Sequence, residues 1–372
     1  MQYSLQDLIK EAGQLPAVNL KAASAYNAGM VDLARFVNDA MTAESDIQSI
    51  TGGNPLQVMF DNHKHHAAFM AVVFSIGSHE LLARTLPWVY RAYHAHGFSY
   101  NYFPLALAAW QKAVDTILDK DSASAVKEIY SWMIKKHDQL IKLSETADDY
   151  SSPIDKDWLE TKNAFLESIL EGDHIKSLKI ANKAANEASN ISQFYLQIIQ
   201  PAMYEIGMLW ERAEISAAQE HLATAIVVRV MAAISRIKKQ TMDSPGKAVV
   251  TSAPNEYHEI GAWMISDILE HRGWEVNYLG ANTPQKDLLD LLKSVKPDML
   301  AISVTMSFNI NKAKNIISDI RNDEELNHIK VAVGGRVFCE NPDLWQKTGA
   351  DGFSHNLESA AELFEQWGRN AG

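Results

Sequence analysis

Over the first 240 or so residues, apolar positions recur every three or four places, the pattern of helices that bury one face. Leu105, Leu107, Ala108, Ala109, Ala113, Val114, Ile117 and Leu118 make one such run. Breaks are expected at Gly52-Gly53-Asn54-Pro55, between Gly97 and Pro104, and in the polar stretch Ser144 to Pro153. Asp148, Asp149, Ser151, Ser152 and Pro153 crowd into that last stretch, so a domain boundary is expected there, closing an all-helical first domain over 1–150. The next segment, 151–244, predicts four helices over 155–170, 174–188, 191–212 and 216–239. Short polar links between them suit an antiparallel four-helix bundle. Ser216-Ala-Ala-Gln219 is a capping box, which places a helix start near residue 216.

After Pro245 the rhythm changes. Short apolar runs (Ala248–Thr251, Val276–Leu279, Met299–Val304, Lys330–Val333) alternate with helix-length segments over 258–272, 284–295, 309–322 and 357–368. That alternation predicts βαβ units and a parallel, Rossmann-like sheet in an α/β domain over 245–372. Ligands of such sheets bind beyond the carboxyl ends of the strands.

Composition narrows the function classes. The net charge of −12 disfavours phosphate-backbone binding as the main activity, so no direct nucleic-acid contact is expected. No stretch offers 18 uninterrupted apolar residues and the first residues lack a signal-peptide pattern, so no membrane role is expected and a cytoplasmic location is the default. The single cysteine, Cys339, excludes an intramolecular disulfide and a cysteine-based metal cluster.

The candidate chemistry lies on one sheet edge. The loop after the first strand reads Glu256-Tyr-His258-Glu-Ile-Gly261. A histidine there can present one ring nitrogen to a ligand lying across the edge, while a carboxylate two residues earlier fixes the other nitrogen. Gly261 lets backbone approach a bulky planar ligand. On these residues alone, a helix-capping histidine in a plain α/β domain fits as well. Ser303-Val-Thr305 ends the third predicted strand and Gly334-Gly335 the fourth, so both share the edge with His258.

E-x-H-x-x-G, then S-x-T, then G-G, resembles the signature of B12-binding domains over about 246–368. The resemblance implies that His258 is the cobalt ligand below the corrin, replacing the cofactor's own base, with Glu256 orienting it. Ser303, Thr305, Gly334 and Gly335 would line the channel for the displaced nucleotide tail. Most members of that family carry aspartate where this chain has Glu256.

The bundle adds a second resemblance. Trp210 closes a predicted helix, and after nine intervening residues Glu220-His221 opens the next. This W-x9-E-H pattern resembles the cap of adenosylcobalamin-dependent light-sensing repressors, in which the tryptophan and glutamate sit beside the adenosyl group. Where those repressors often have a histidine after the tryptophan, this chain has Glu211; His221 is a candidate substitute as upper ligand.

The first 150 residues lack the basic DNA-binding module of the repressors. They are instead rich in histidine and aromatics, including His63, His65, His66, His79, Tyr90, Arg91, Tyr93, His94, His96, Tyr100, Tyr102 and Trp110. A globin-like tetrapyrrole pocket and plain helical packing fit these residues equally. The layout of the whole chain resembles the photocobilins, which pair adenosylcobalamin with biliverdin. That resemblance implies a light sensor without catalytic output, signalling through light-dependent self-association or a downstream protein. Biliverdin would be bound non-covalently, with His66, Arg91, His94 and Tyr102 as candidate contacts and Arg84 as a further cation for its propionates. The other readings are a corrinoid carrier for methyl transfer and a heme-globin sensor joined to a B12 domain.

Overall fold

The computed structural model describes residues 3–146, 154–235 and 244–371. The boundary residues Asp148 to Pro153 and the end of the fourth bundle helix beyond 235 lie outside the described residues. The chain forms two compact units, Met1–Asp149 with Glu211–Glu214, and Tyr150–Trp210 with Ile215–Gly372.

The first unit is helical: α1 (Leu5–Ala12), α2 (Leu20–Thr42), α3 (Ile47–Ile50), α4 (Leu56–Ile76), α5 (His79–Ala95), α6 (Tyr102–Ile117), α7 (Lys120–Lys135) and α8 (His137–Ser144). The expected breaks fall between α3 and α4 and between α5 and α6, and the two turns touch. Gly52 has φ +62°, and a Cβ there would lie 2.0 Å from the Gly97 carbonyl oxygen, so only glycine fits. Asn54 reinforces the junction by donating to His96 O at 2.8 Å. Pro104, expected in the break, sits inside the first turn of α6, where no intrahelical N–H bond is lost.

The core of this unit is aromatic, with Tyr26, Trp110 and Tyr130 fully buried. The Tyr130 hydroxyl lies 2.7 Å from that of Tyr26 and 3.2 Å from His66 Nε2. His63, one helical turn earlier, donates from Nδ1 to Asn38 Oδ1 at 2.6 Å. Burial pushes the His63 imidazole down to about 4 and that of His66 to about 3, the second also lowered by its neighbour His63. Both rings are therefore neutral at pH 7.

The second unit opens with the bundle: α9 (Lys156–Leu170), α10 (His174–Glu187), a composite third helix, and α13 (Ala217–Ile234). The third helix runs through α11 (Ile191–Phe194), a π-helical turn over Tyr195–Ile199 and α12 (Gln200–Glu211). Pro201 explains the wide turn: it has no N–H to give residue 197, and its ring crowds that carbonyl in an α-helix. The ladder accordingly widens, with Gln200 N–H donating to Tyr195 O. The capping box at Ser216 and Gln219 forms as expected. By length and composition α13 could cross a membrane. Its Ala223, Ile226, Val227, Val230 and Met231 instead lie in the bundle core.

The α/β domain holds β1 (Lys247–Ser252), β2 (Glu275–Tyr278), β3 (Met299–Ser303), β4 (Lys330–Gly334) and β5 (Gly352–Phe353), all parallel in the order β2-β1-β3-β4-β5. Helices α14 (Ile260–His271), α15 (Gln285–Val295), α16 (Ile310–Asn322), α17 (Arg336–Glu340) and α18 (Leu357–Ala371) connect and cover the strands. The two-residue β5 and the short α17 were not expected from the pattern. Chain order reverses between β1 and β3, so their loops border the switch point at which such sheets receive ligands.

Bundle and sheet domain share one core. Met264 and Ile268 of α14 and Leu357 and Ala361 of α18 pack with the bundle's Phe194, Tyr195 and Ile198. The Tyr195 hydroxyl donates to the buried Asp267 carboxylate across this joint. Burial raises the Asp267 carboxyl above its ordinary range, although hydrogen bonds from Tyr195 and Ser235 oppose that rise.

Two outcomes follow. A neutral, buried histidine stabilises the fold above pH 6.5, and the contribution is lost as pH falls from there toward the folded value. Between pH 6.5 and 5 the loss is about 2 kcal/mol for each ring, so a His63→Gln/His66→Gln chain should show a flatter dependence of melting temperature on pH over that interval. An unchanged slope would mean that other groups govern acid unfolding. Tyr195→Phe should cost about 1–3 kcal/mol in denaturant unfolding, because it strips a donor from a buried carboxyl group. Asp267→Asn keeps an acceptor for Tyr195 and should cost less; the reverse order would refute this account of the joint.

Candidate functional site

The β1–α14 loop leaves the sheet at Ser252 and turns back at once. Glu256 N–H donates to Ala253 O at 3.0 Å, Asn255 takes a left-handed conformation (φ +65°), and Ser252 Oγ donates to His258 O at 3.1 Å. These contacts bury the Glu256 side chain (1% exposed) and leave that of His258 standing out (58% exposed).

His258 Nδ1 lies 2.5 Å from Glu256 Oε1. A carboxylate only accepts, so Nδ1 carries the hydrogen, and in the neutral ring this tautomer leaves the lone pair on Nε2 for an electrophile. The other carboxylate oxygen, Oε2, accepts from Thr305 N–H at 3.0 Å, Met306 N–H at 2.8 Å and Asn309 Nδ2 at 3.2 Å. Burial pushes Glu256 up, but the hydrogen bond from His258, with the Met306 and Asn309 donors, outweighs it and holds the carboxyl below its ordinary range. Glutamate spans both partners: one oxygen orients the imidazole while the other grips the β3–α16 loop.

The residues fit a cobalamin. A Cβ added at Gly334 would meet no protein atom within 4 Å, and one at Gly261 only Ser303 Oγ at 4.0 Å, so the protein's own packing requires neither glycine. Ser303 is paired in register with Ser252 and Gly334. Gly335 differs, since its φ is +98° and a Cβ would lie 2.3 Å from Val304 O. Its glycine is demanded by backbone contact between the β3 and β4 ends. Among the described residues no cluster of three or more His, Cys, Asp or Glu could hold a metal ion.

On the bundle, Trp210 packs partly buried against the core at the end of α12. Glu220 in the first turn of α13 accepts from Thr224 Oγ1 at 2.9 Å and lies 2.5 Å from Nδ1 of the exposed His221. Glu211, which groups with the first unit, is buried in an ion pair with Arg91.

The candidate pigment contacts of the first unit divide. His66 and Tyr102 belong to the aromatic core: His66 is 4.9 Å from Trp110 between ring centroids, and Tyr102 is parallel to His63 at 6.1 Å. Arg91 is engaged by Glu211 and by Thr146 O at 2.8 Å, and His94 stacks on Tyr100 at 4.0 Å. Arg84 pairs with Glu80. Sequence reasoning passed over His63 as a contact, yet its Nε2 is buried without a hydrogen-bond partner. It also passed over Asn255, Asn282 and Asn309, which surround the His258 loop; asparagines just beyond strands were the available signal.

A B12 binding domain model matches residues 246–364, and a second B12 binding domain model matches residues 161–235. Among curated proteins, the dimethylamine corrinoid protein of Methanosarcina barkeri is 25% identical over 186 residues, 49% of this chain and 85% of that protein. The HTH-type transcriptional repressor CarH of Myxococcus xanthus is 25% identical over 125 residues, 34% of this chain and 41% of that protein. The monomethylamine corrinoid protein of Methanosarcina barkeri, a solved structure, aligns with a TM-score of 0.48 at 18% identity, covering 56% of this chain and 98% of that one. The helical bundle coincides with the second matched segment, and the parallel sheet with the His258 loop coincides with the first, so these two segments carry the B12 binding domains of the chain.

Proposed function

We propose that this protein is a light sensor that holds adenosylcobalamin between the α/β domain and the bundle, with His258 as the cobalt's lower ligand. The observation that carries the reading is the Glu256–His258 pair, which leaves one oriented lone pair at the sheet's switch point. The adenosyl form and the response to light rest on the pattern Trp210, Glu220 and His221. When bound, adenosylcobalamin supplies a cobalt–carbon bond that light breaks. In the dark, Trp210 and Glu220 would bind the adenosyl group; its loss removes their partner and biases the packed bundle toward another arrangement. The first unit would carry biliverdin, and the signal would leave as altered self-association or partner binding, without catalysis or direct DNA contact.

A second reading is favoured by the likeness to the dimethylamine corrinoid protein: a corrinoid carrier in methyl transfer. The two separate by the upper ligand that the protein retains, adenosyl or methyl.

Full-length protein reconstituted with adenosylcobalamin in the dark should change its absorption spectrum irreversibly under green light. A stable spectrum would refute the sensor reading while leaving the carrier reading intact. His258→Ala should weaken cobalamin binding at least about tenfold or leave the cofactor's own base on cobalt. Trp210→Ala should keep most of the binding and alter the photolysis rate; equal loss in both variants would undercut these roles. Titration with biliverdin should give a red-absorbing complex without thiol attachment, whereas iron in the purified protein would point to heme in the first unit.

A further inference from the structure

Asp267 is buried outside the cobalt-ligand loop, and three helices meet at it. It lies two turns into α14 and is 4% exposed. Tyr195, in the π-turn of the third bundle helix, donates its hydroxyl to one carboxylate oxygen. Ser235, which ends the fourth bundle helix α13, donates its own hydroxyl to the same side chain. Both donors come from the bundle, while the acceptor belongs to the sheet domain. Around this polar point the packing is apolar: Met264 and Ile268 of α14 share a core with Ile198, Val230 and Ile234. The buried Tyr195 hydroxyl has no solvent to turn to, so its bond fixes the depth at which the third helix meets α14.

The third and fourth helices run antiparallel, and they are the two that carry the cap residues. Trp210 follows Tyr195 by 15 residues, and Ser235 follows Glu220 by 15. The cap and the Asp267 contact therefore sit at opposite ends of one helix pair, roughly 20 Å apart at the ordinary rise per residue. Over such a length a tilt of about 5° at one end moves the other by about 2 Å. Hydrogen bonds tolerate far less. Trp210 and Glu220 can thus serve one ligand together only if their helices are held in step at the far end. An acceptor shared by both helices does this, whereas two separate anchors would let each helix tilt alone.

We infer that Asp267 is a positioning residue for the upper face of the cofactor site: by holding Tyr195 and Ser235 together it sets the relative depth of Trp210 and Glu220. The inference rests on the reading of those two residues as adenosyl contacts. Asp267 acts only through the helices it joins.

The test is the dark affinity of the full-length chain for adenosylcobalamin relative to methylcobalamin, two forms that share everything below the cobalt and differ in the upper group. The parent should prefer the adenosyl form. Tyr195→Phe and Ser235→Ala should each lower that preference about 2- to 10-fold, the worth of one hydrogen bond, with methylcobalamin affinity nearly unchanged. Asp267→Asn, which can still accept from Tyr195 and pair with Ser235, should keep the parental preference. Phe165→Leu weakens the same apolar core without a bond to Asp267; it should lower the melting temperature and leave the preference intact. Unchanged preference in folded Tyr195→Phe and Ser235→Ala chains would overturn the inference. So would an equal loss in Phe165→Leu, since loosening of the core would then suffice. Ser235→Ala removes one oxygen from a half-buried helix end, so it carries the test where Tyr195→Phe does not fold. If Trp210→Ala kept the parental preference, or the parent had none, the cap reading itself would fail, whatever the Asp267 contacts did.

Discussion

One buried carboxylate organises the candidate site. Glu256 cannot be left unpaired in an apolar setting, and five donors answer it: the His258 imidazole, the backbone N–H groups of His258, Thr305 and Met306, and the Asn309 amide. Because the donors come from two loops, satisfying the charge draws those loops together. The cost of burying an anion is thereby turned into orientation of an imidazole. A shorter acid attached at the same backbone position would have one methylene less with which to reach both, so the glutamate and the surrounding asparagines make sense as a set.

The same principle acts at the joint between bundle and sheet. Asp267 on α14 is buried and bonded to Tyr195, and Tyr195 sits where Pro201 has widened the helix. A π-turn displaces side chains relative to a regular helix. Here the displacement occurs in the segment that packs on α14, while the opposite end of that long helix carries Trp210. The bundle is thus registered against the sheet domain by a polar bond inside an apolar core, and any rearrangement of the two must break or carry that bond.

Much of this architecture was legible because periodicity reports burial. β1, β3 and β4 are covered on both sides and read as continuous apolar runs, and the bundle helices read as three-and-four spacing with capping at Ser216. The His258 loop was legible for a different reason: alone its residues fit an ordinary helix cap, but together with Ser303-Val-Thr305 and Gly334-Gly335 on the same edge they resemble a known signature. What escaped were features with no local signature. β5 has two residues, too few for any period, and Asn309 acquires its role from a carboxylate 53 residues away. His63 and His66 lie on the same face of α4, so spacing could not say which of them keeps an unpartnered nitrogen.

The charges of the first unit constrain what it can hold. His63 and His66 are neutral by burial, so neither can balance an acidic group on a ligand. Arg84 and Arg91 already face Glu80 and Glu211, the second pair largely buried. A pigment carrying propionates would therefore have to exchange one ion pair for another to use these arginines, a step that returns little net free energy because a glutamate is released for each acid bound. Neutral contacts are a different matter: an unpartnered acceptor at His63 Nε2, between Tyr102 and Trp110, gains a full hydrogen bond from any N–H brought to it. Binding in this unit would accordingly draw its energy from ring packing and neutral hydrogen bonds, with acidic groups left toward solvent.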